Sequence, residues 1–117
     1  MTMKNNNTTT NQKLRVWWIP QVPCESFYIP VNTPEEGRKV LDILAAYDMF
    51  QLNNNIKPDF CNVGGLQYWD EEEQEWNDWY LETETDYYED IDEYCESDEC
   101  EQREELEEFR CELFRQV

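Results

Sequence analysis

Clusters of apolar residues divide the first half of the chain into short strands and one helix. The β-branched and aromatic runs Leu14–Ile19 and Phe27–Val31 are typical of strands, and a proline-containing segment separates them. Apolar residues then recur at helical spacing after Thr33, which is suited to cap a helix, and Pro34, which suits its first turn. The pattern predicts a hairpin followed by a helix that ends near Phe50.

A second hairpin and a terminal helix are predicted beyond an irregular connection. Leu66–Trp69 and Glu75–Leu81 favour strands, joined by an acidic turn. Residues 82–97 carry tyrosines at helical spacing among many acids, which predicts a marginal helix. Asp98 is expected to cap the last helix, whose apolar stripe is Leu106, Phe109, Leu113 and Val117. The stripe favours packing against the body, and a homodimer through Leu106, Phe109 and Leu113 is the alternative.

These elements predict an α+β fold, with a small antiparallel sheet from two hairpins packed on one helix and an acidic C-terminal helical extension. We divide the chain into a disordered polar tail (1–12), an α+β body (13–81) and the extension (82–117). No apolar run approaches the length of a membrane span. The first residues lack the apolar core of a signal peptide, so we expect a cytoplasmic protein.

Charge is distributed very unevenly along the chain. There are 28 Asp and Glu against 9 Lys and Arg, for a net charge of -19. Residues 1–67 are neutral, and Asp70–Glu101 contains 17 acids and no base. Binding of nucleic acid needs Lys and Arg to neutralise phosphates, so direct contact with nucleic acid is disfavoured. Binding to an anionic membrane is disfavoured for the same reason.

The residue types restrict the available chemistry. The chain has no histidine, which removes Ser–His–Asp catalysis and imidazole ligands for metals. Its five cysteines leave open a zinc site or a redox pair of Cys95 and Cys100, but their odd number and the lack of a CxxC motif favour free thiols. Paired carboxylates can act in glycosidases, yet a run of this density is more simply a solvated surface. We therefore predict a protein that is not an enzyme and holds no metal or cofactor.

Several short motifs lie between Leu14 and Tyr80, namely Trp18–Pro23, Tyr47-Asp48 with Phe50-Gln51, Asn55–Phe60, Gly64–Leu66, Glu75-Trp76 and Trp79. With these motifs the chain resembles a family of small acidic proteins carried by tailed bacteriophages. The resemblance implies a phage origin, hence the host bacterial cytoplasm as the expected location, and a compact body, and it implies no assigned activity. The sequence departs from the family pattern after about Leu81, where the acidic extension begins.

The acids suggest a surface that binds a basic partner. Carboxylates fixed on helices and strands are separated by about 5–7 Å and form a regular array of negative charge, as the phosphates of DNA do. The leading hypothesis is a phage-type inhibitor that blocks the basic groove of a host nucleic-acid-binding defence enzyme, such as a restriction or CRISPR-type nuclease, by mimicking nucleic acid. The alternatives are an acidic-aromatic adaptor that docks on a basic protein without displacing nucleic acid, and acids that only solubilise.

The predicted partner-binding residues combine these acids with two neighbouring tyrosines. They are Asp70, Glu71, Glu72, Glu73, Glu75, Asp78, Glu82, Glu84, Asp86, Tyr87, Tyr88, Glu89, Asp90, Asp92, Glu93 and Glu96.

Overall fold

The computed structural model describes residues 12–117 as a four-stranded antiparallel sheet, a small hairpin and three helices. In chain order the elements are β1 (Leu14–Ile19), β2 (Phe27–Val31), α1 (Pro34–Asn53), β3 (Val63–Asp70), β4 (Glu75–Asp78), β5 (Leu81–Glu82), β6 (Tyr87–Tyr88), α2 (Ile91–Cys95) and α3 (Arg103–Arg115). The sheet order β2-β1-β3-β4 joins two sequential hairpins through the pairing of β1 with β3. The predicted α+β fold, including its C-terminal helix, is confirmed.

One face of the sheet packs on α1. Along β1, Leu14, Val16 and Trp18 are buried and the residues between them are half-buried, as the two-residue period of a strand requires. Helix α1 begins where the side-chain oxygen of Thr33 accepts a hydrogen bond from the Glu36 N–H at 3.0 Å. The alternation along β1 and the cap at Thr33 therefore agree with the packing of the sheet on α1.

The opposite face of the sheet carries aromatic side chains around one cation. The Arg15 guanidinium lies 3.8 Å from the ring centre of Tyr28 and 4.2 Å from that of Trp76. Trp76 also contacts Trp69 edge to face, with ring centres 5.5 Å apart. These rings are half-buried or exposed, so part of the aromatic content stabilises the sheet surface rather than the core.

Residues from the C-terminal half complete the core beneath the sheet. Trp79, Tyr94 and Leu106 are buried in the same apolar cluster as Val16. The Tyr94 hydroxyl donates a hydrogen bond to Glu35 at the start of α1, at 2.8 Å. Residues on both sides of the predicted boundary at 81/82 thus contribute to one core. The division into a body and an extension stays a prediction.

The predicted helix over residues 82–97 is wrong for most of its length. Leu81 pairs with Tyr88 in the β5–β6 hairpin, and α2 covers only Ile91–Cys95. Both Leu81 and Tyr88 are buried, and pairing across two strands directs both side chains toward the core. Helix formation would instead have set like charges one turn apart.

The last helix begins later than predicted. Helix α3 starts at Arg103, and Gln102 precedes it without a side-chain cap. Asp98 lies outside the helix, where its carboxylate accepts a hydrogen bond from Arg103 at 2.7 Å. Leu106 of the predicted stripe is fully buried, whereas the homodimer alternative stays a prediction.

The predicted disordered tail lies outside the described residues, except for Gln12. Within residues 12–117, no helix combines the length and apolarity that crossing a bilayer requires.

We predict that Gly64→Ala destabilises the fold by about 1–3 kcal/mol, because a new side chain at this closely packed position forces its neighbours to shift. A Cβ at Gly64 would lie 2.5 Å from Trp18 Cε3 and 2.8 Å from the Trp17 carbonyl oxygen. Urea denaturation followed by circular dichroism measures the change. Gly37→Ala is the control, because its Cβ comes closer than 3 Å only to the end of the Leu66 side chain, at 2.8 Å, and alanine favours the helix. Equal losses would contradict this account of Gly64.

Candidate functional site

Four charged side chains join the three helices. Arg38 and Asp42 lie on α1, Asp92 on α2 and Arg110 on α3. Arg38 Nε is 3.3 Å from Asp42 Oδ2 and 3.2 Å from Asp92 Oδ1. Arg110 Nη2 is 2.9 Å from Asp42 Oδ1 and 2.8 Å from Asp92 Oδ1. Because each arginine contacts both aspartates, the four residues form one network, which we call the helix ion-pair network.

Two members of the helix ion-pair network are buried, whereas the side chains of Arg110 and Asp92 are 29% and 51% exposed. Arg38 is 1% exposed and Asp42 is 4% exposed. Burial by itself would lower the pKa of Arg110, but its hydrogen bond with Asp42 and the charges of Asp42 and Asp92 outweigh burial and raise that pKa. Arg110 therefore remains charged at neutral pH. The removal of Asp42 would leave the buried Arg38 with one anionic partner fewer.

A cleft of about 1100 Å³ opens beside this network. Trp18 from β1, Leu41 from α1 and Phe114 from α3 give it an apolar lining. Acidic residues also line the cleft, namely Asp42, Asp78, Glu89, Asp90 and Asp92. A concave site that combines apolar surface with a few charged groups is suited to bind a ligand that has both characters.

The predicted partner-binding residues lie in three places. The first group surrounds the β3–β4 turn, and its members are Asp70, Glu71, Glu72, Glu73 and Glu75. The second lies on the β5–β6 hairpin, with Glu82, Glu84, Asp86, Tyr87 and Tyr88. The third lies along the cleft, on α2 or at the C-terminal end of α2, with Asp78, Glu89, Asp90, Asp92, Glu93 and Glu96.

Several of these residues have structural roles. Asp70 Oδ1 accepts hydrogen bonds from the N–H groups of Glu72 and Glu73, at 3.0 and 3.1 Å, and thereby holds the turn. Tyr88 is buried in the core, and Asp92 belongs to the helix ion-pair network. Most of the others are exposed and free to meet a partner. Their role in binding stays a prediction.

The helix ion-pair network was not predicted from the sequence. Arg38 and Asp42 are four residues apart on one helix, a spacing that brings side chains together, and this was a usable signal. Arg110 lies 68 residues from Asp42, and nothing local marks that contact.

The two buried thiols differ from the three exposed ones. Cys95 and Cys100 are 1% and 4% exposed, whereas Cys24, Cys61 and Cys111 are exposed. Burial, together with the nearby Cys100 sulfur, raises the pKa of Cys95 to about 12. Burial is also the main cause of the raised pKa of Cys100. Residues 12–117 contain no group of three or more side chains arranged to hold a metal ion.

We predict that Asp42→Asn lowers the free energy of unfolding by about 3 kcal/mol, because Arg38 stays buried while part of the negative charge that balances it is removed. Chemical denaturation measures the loss. The matched control is Glu112→Gln, which removes an exposed partner of Arg115 and should change stability by less than about 0.5 kcal/mol. A loss for Asp42→Asn as small as the control would show that the network does not stabilise the helices.

We predict that iodoacetamide at pH 8 labels Cys24, Cys61 and Cys111 in the folded protein and spares Cys95 and Cys100, because the thiolate is the reactive form. Mass spectrometry of the labelled protein measures which thiols react. Labelling of all five thiols at one rate would contradict the burial of Cys95 and Cys100.

The raised pKa of Cys95 also predicts that the free energy of unfolding falls as pH rises above about 8.5 toward 12, since the thiol of the unfolded chain loses its proton first.

Comparison with known proteins identifies the family. The family described as superinfection exclusion gene product 17 matches residues 13–100. The superinfection exclusion protein of Salmonella phage P22 is 48% identical over 96 residues, which cover 73% of this chain and 91% of that protein. No solved structure matches the chain.

These comparisons overturn the predicted inhibition of a host nuclease by nucleic-acid mimicry, together with the anti-restriction and anti-CRISPR roles. The family and the phage relative are both described by superinfection exclusion. The physical reason for the error is that dense negative charge favours any cationic partner and does not specify a nuclease groove.

The resemblance to a tailed-phage family is confirmed, and the match extends to residue 100 instead of ending near Tyr80. The β5–β6 hairpin and α2 therefore lie inside the family pattern, and only α3 lies beyond it. The chain belongs to the superinfection exclusion gene product 17 family of bacteriophage proteins.

Proposed function

We propose that the protein acts in superinfection exclusion, so that a bacterial cell that makes it resists productive infection by a second phage. The observation that carries this proposal is the family match over residues 13–100. The 48% identity to the P22 protein supports it, because the alignment covers 91% of that relative.

The mode of action that we propose is binding to another protein, without catalysis. The buried acids Asp42 and Asp48 are both ion-paired, whereas the acids of the β3–β4 turn are exposed. Catalytic carboxylates work as a few partly buried groups with separated pKa values. An exposed cluster of like charge instead attracts a cationic surface and accelerates association.

The partner that we propose presents Lys and Arg side chains and belongs either to the host or to the incoming phage. We propose that the encounter takes place in the cytoplasm of the infected cell. The five cysteines are free thiols, in keeping with a reducing compartment.

We predict that host cells expressing the full chain lower the plating efficiency of at least one tailed phage in a panel, relative to cells with an empty vector. Plaque counts across the panel measure the effect. Equal plating of every phage on both hosts, with the protein detected in the cells, would contradict the proposed function.

We predict that removing negative charge around the β3–β4 turn reduces exclusion in the same plating assay. The variant replaces its four exposed glutamates with glutamine, at Glu71, Glu72, Glu73 and Glu75. Because exposed charges each contribute about 0.2–1 kcal/mol, their joint removal should weaken partner binding about tenfold or more and reduce exclusion. The matched control removes four exposed glutamates of α3, at Glu104, Glu105, Glu107 and Glu108. Equal effects of the two variants would contradict a specific role for the turn.

A further inference from the structure

Strand β3 is longer than its neighbour β4, and part of its outer edge is open. β3 spans Val63–Asp70, whereas β4 pairs only with Gln67–Asp70. The last hydrogen bond along this edge runs from the Trp79 N–H to the Leu66 carbonyl oxygen, at 3.0 Å. Backbone groups alternate in direction along a strand, so the N–H and C=O of Gly64 point to the same edge. Within residues 12–117, no strand pairs with Gly64 on that side.

The open edge of β3 lies along the cleft described above. Gly64, Gly65 and Leu66 line the cleft, as does Phe114 from α3. Glycine in a strand often marks a position where another backbone approaches closely, because no side chain stands in the way. The cleft therefore combines free backbone groups, open space and a nearby apolar surface.

The charge of the cleft selects the occupant. Asp78, Glu89 and Asp90 are exposed and line it, and none of them forms an ion pair within the described part of the chain. Trp18 and Leu41 offer apolar surface close to these acids. Successive side chains of a strand point to opposite sides, so an extended segment with alternating cationic and apolar residues matches both properties.

We propose that the cleft binds an extended segment of the partner protein, with alternating cationic and apolar side chains, which adds to the edge of β3 as a strand. This inference names the partner class for the protein-binding function proposed above and rests on it. The backbone of Gly64 and the N–H of Leu66 supply hydrogen bonds, and the acids select positive side chains. Strand addition of this kind takes affinity from the main chain and specificity from alternate side chains.

The probe is a capped hexapeptide, Lys-Val-Lys-Val-Lys-Val, added to the full chain labelled with nitrogen-15. We expect shifts of the Gly64 and Leu66 amide signals and slower hydrogen exchange at both. Two control peptides carry N-methyl groups on either the lysines or the valines, so that charge and side chains are kept. One of them should bind about tenfold or more weakly, because one set of N–H groups faces β3. Equal affinity of all three peptides would overturn strand addition.

Paired variants test the charge. Asp78→Asn with Asp90→Asn should weaken peptide binding about fivefold, and asparagine retains the cap that Asp90 gives to α2. The matched control, Glu104→Gln with Glu105→Gln, removes the same charge from the exposed start of α3 and should leave affinity within about twofold. If both double variants weakened peptide binding equally, the acids of the cleft would not select the cationic side chains.

The plating assay separates this inference from the proposed function. The inference predicts that Asp78→Asn with Asp90→Asn reduces both peptide binding and exclusion. Exclusion by the unmodified chain without any peptide effect at Gly64 would overturn the inference and leave the proposed function intact. Peptide binding at Gly64 in a chain that excludes no phage would overturn the proposed function instead.

Discussion

The contacts of Arg38 and Arg110 with Asp42 and Asp92 determine where the acidic half of the chain lies. That half carries the whole net charge of -19 and would repel itself as an isolated segment. Arg38 comes from the neutral half, is fully buried, and meets Asp92 of α2 at 3.2 Å. Arg110 anchors α3 to the same two aspartates. Two arginines thus attach the acidic segment to α1 while its other acids stay in water.

The cleft follows from this attachment. Helices α2 and α3 make most of their contacts with α1, and space remains between these helices and the part of β3 that β4 does not cover. After Asp78 the chain turns away from the sheet, and Trp79 enters the core. The pairing of β4 with β3 therefore ends before it reaches Gly64. Structural ion pairs, an open strand edge and exposed acids therefore meet in one region. This arrangement suits a protein that acts by binding, within a family described by superinfection exclusion.

Local signals predicted the fold well where the structure depends on neighbouring residues. The bounds of β1 and β2, the cap at Thr33 and the acidic turn at Asp70 all follow from alternation or from capping chemistry. The β5–β6 hairpin was missed because burial of Leu81 and Tyr88 depends on distant core residues. The helix ion-pair network and the cleft were missed for the same reason. The function was mistaken because charge density reveals the sign of a partner's charge and not its identity.

The most direct test of the central claim is amide hydrogen exchange, compared between the unmodified chain and Arg110→Met. If the helix ion-pair network holds the acidic segment on α1, the variant loses much more protection in α2 and α3 than in β1 and β3. Unchanged protection in α3 would contradict the account. An equal loss across the sheet and the helices would also contradict it, because α2 and α3 would then not detach from α1 before the sheet unfolds.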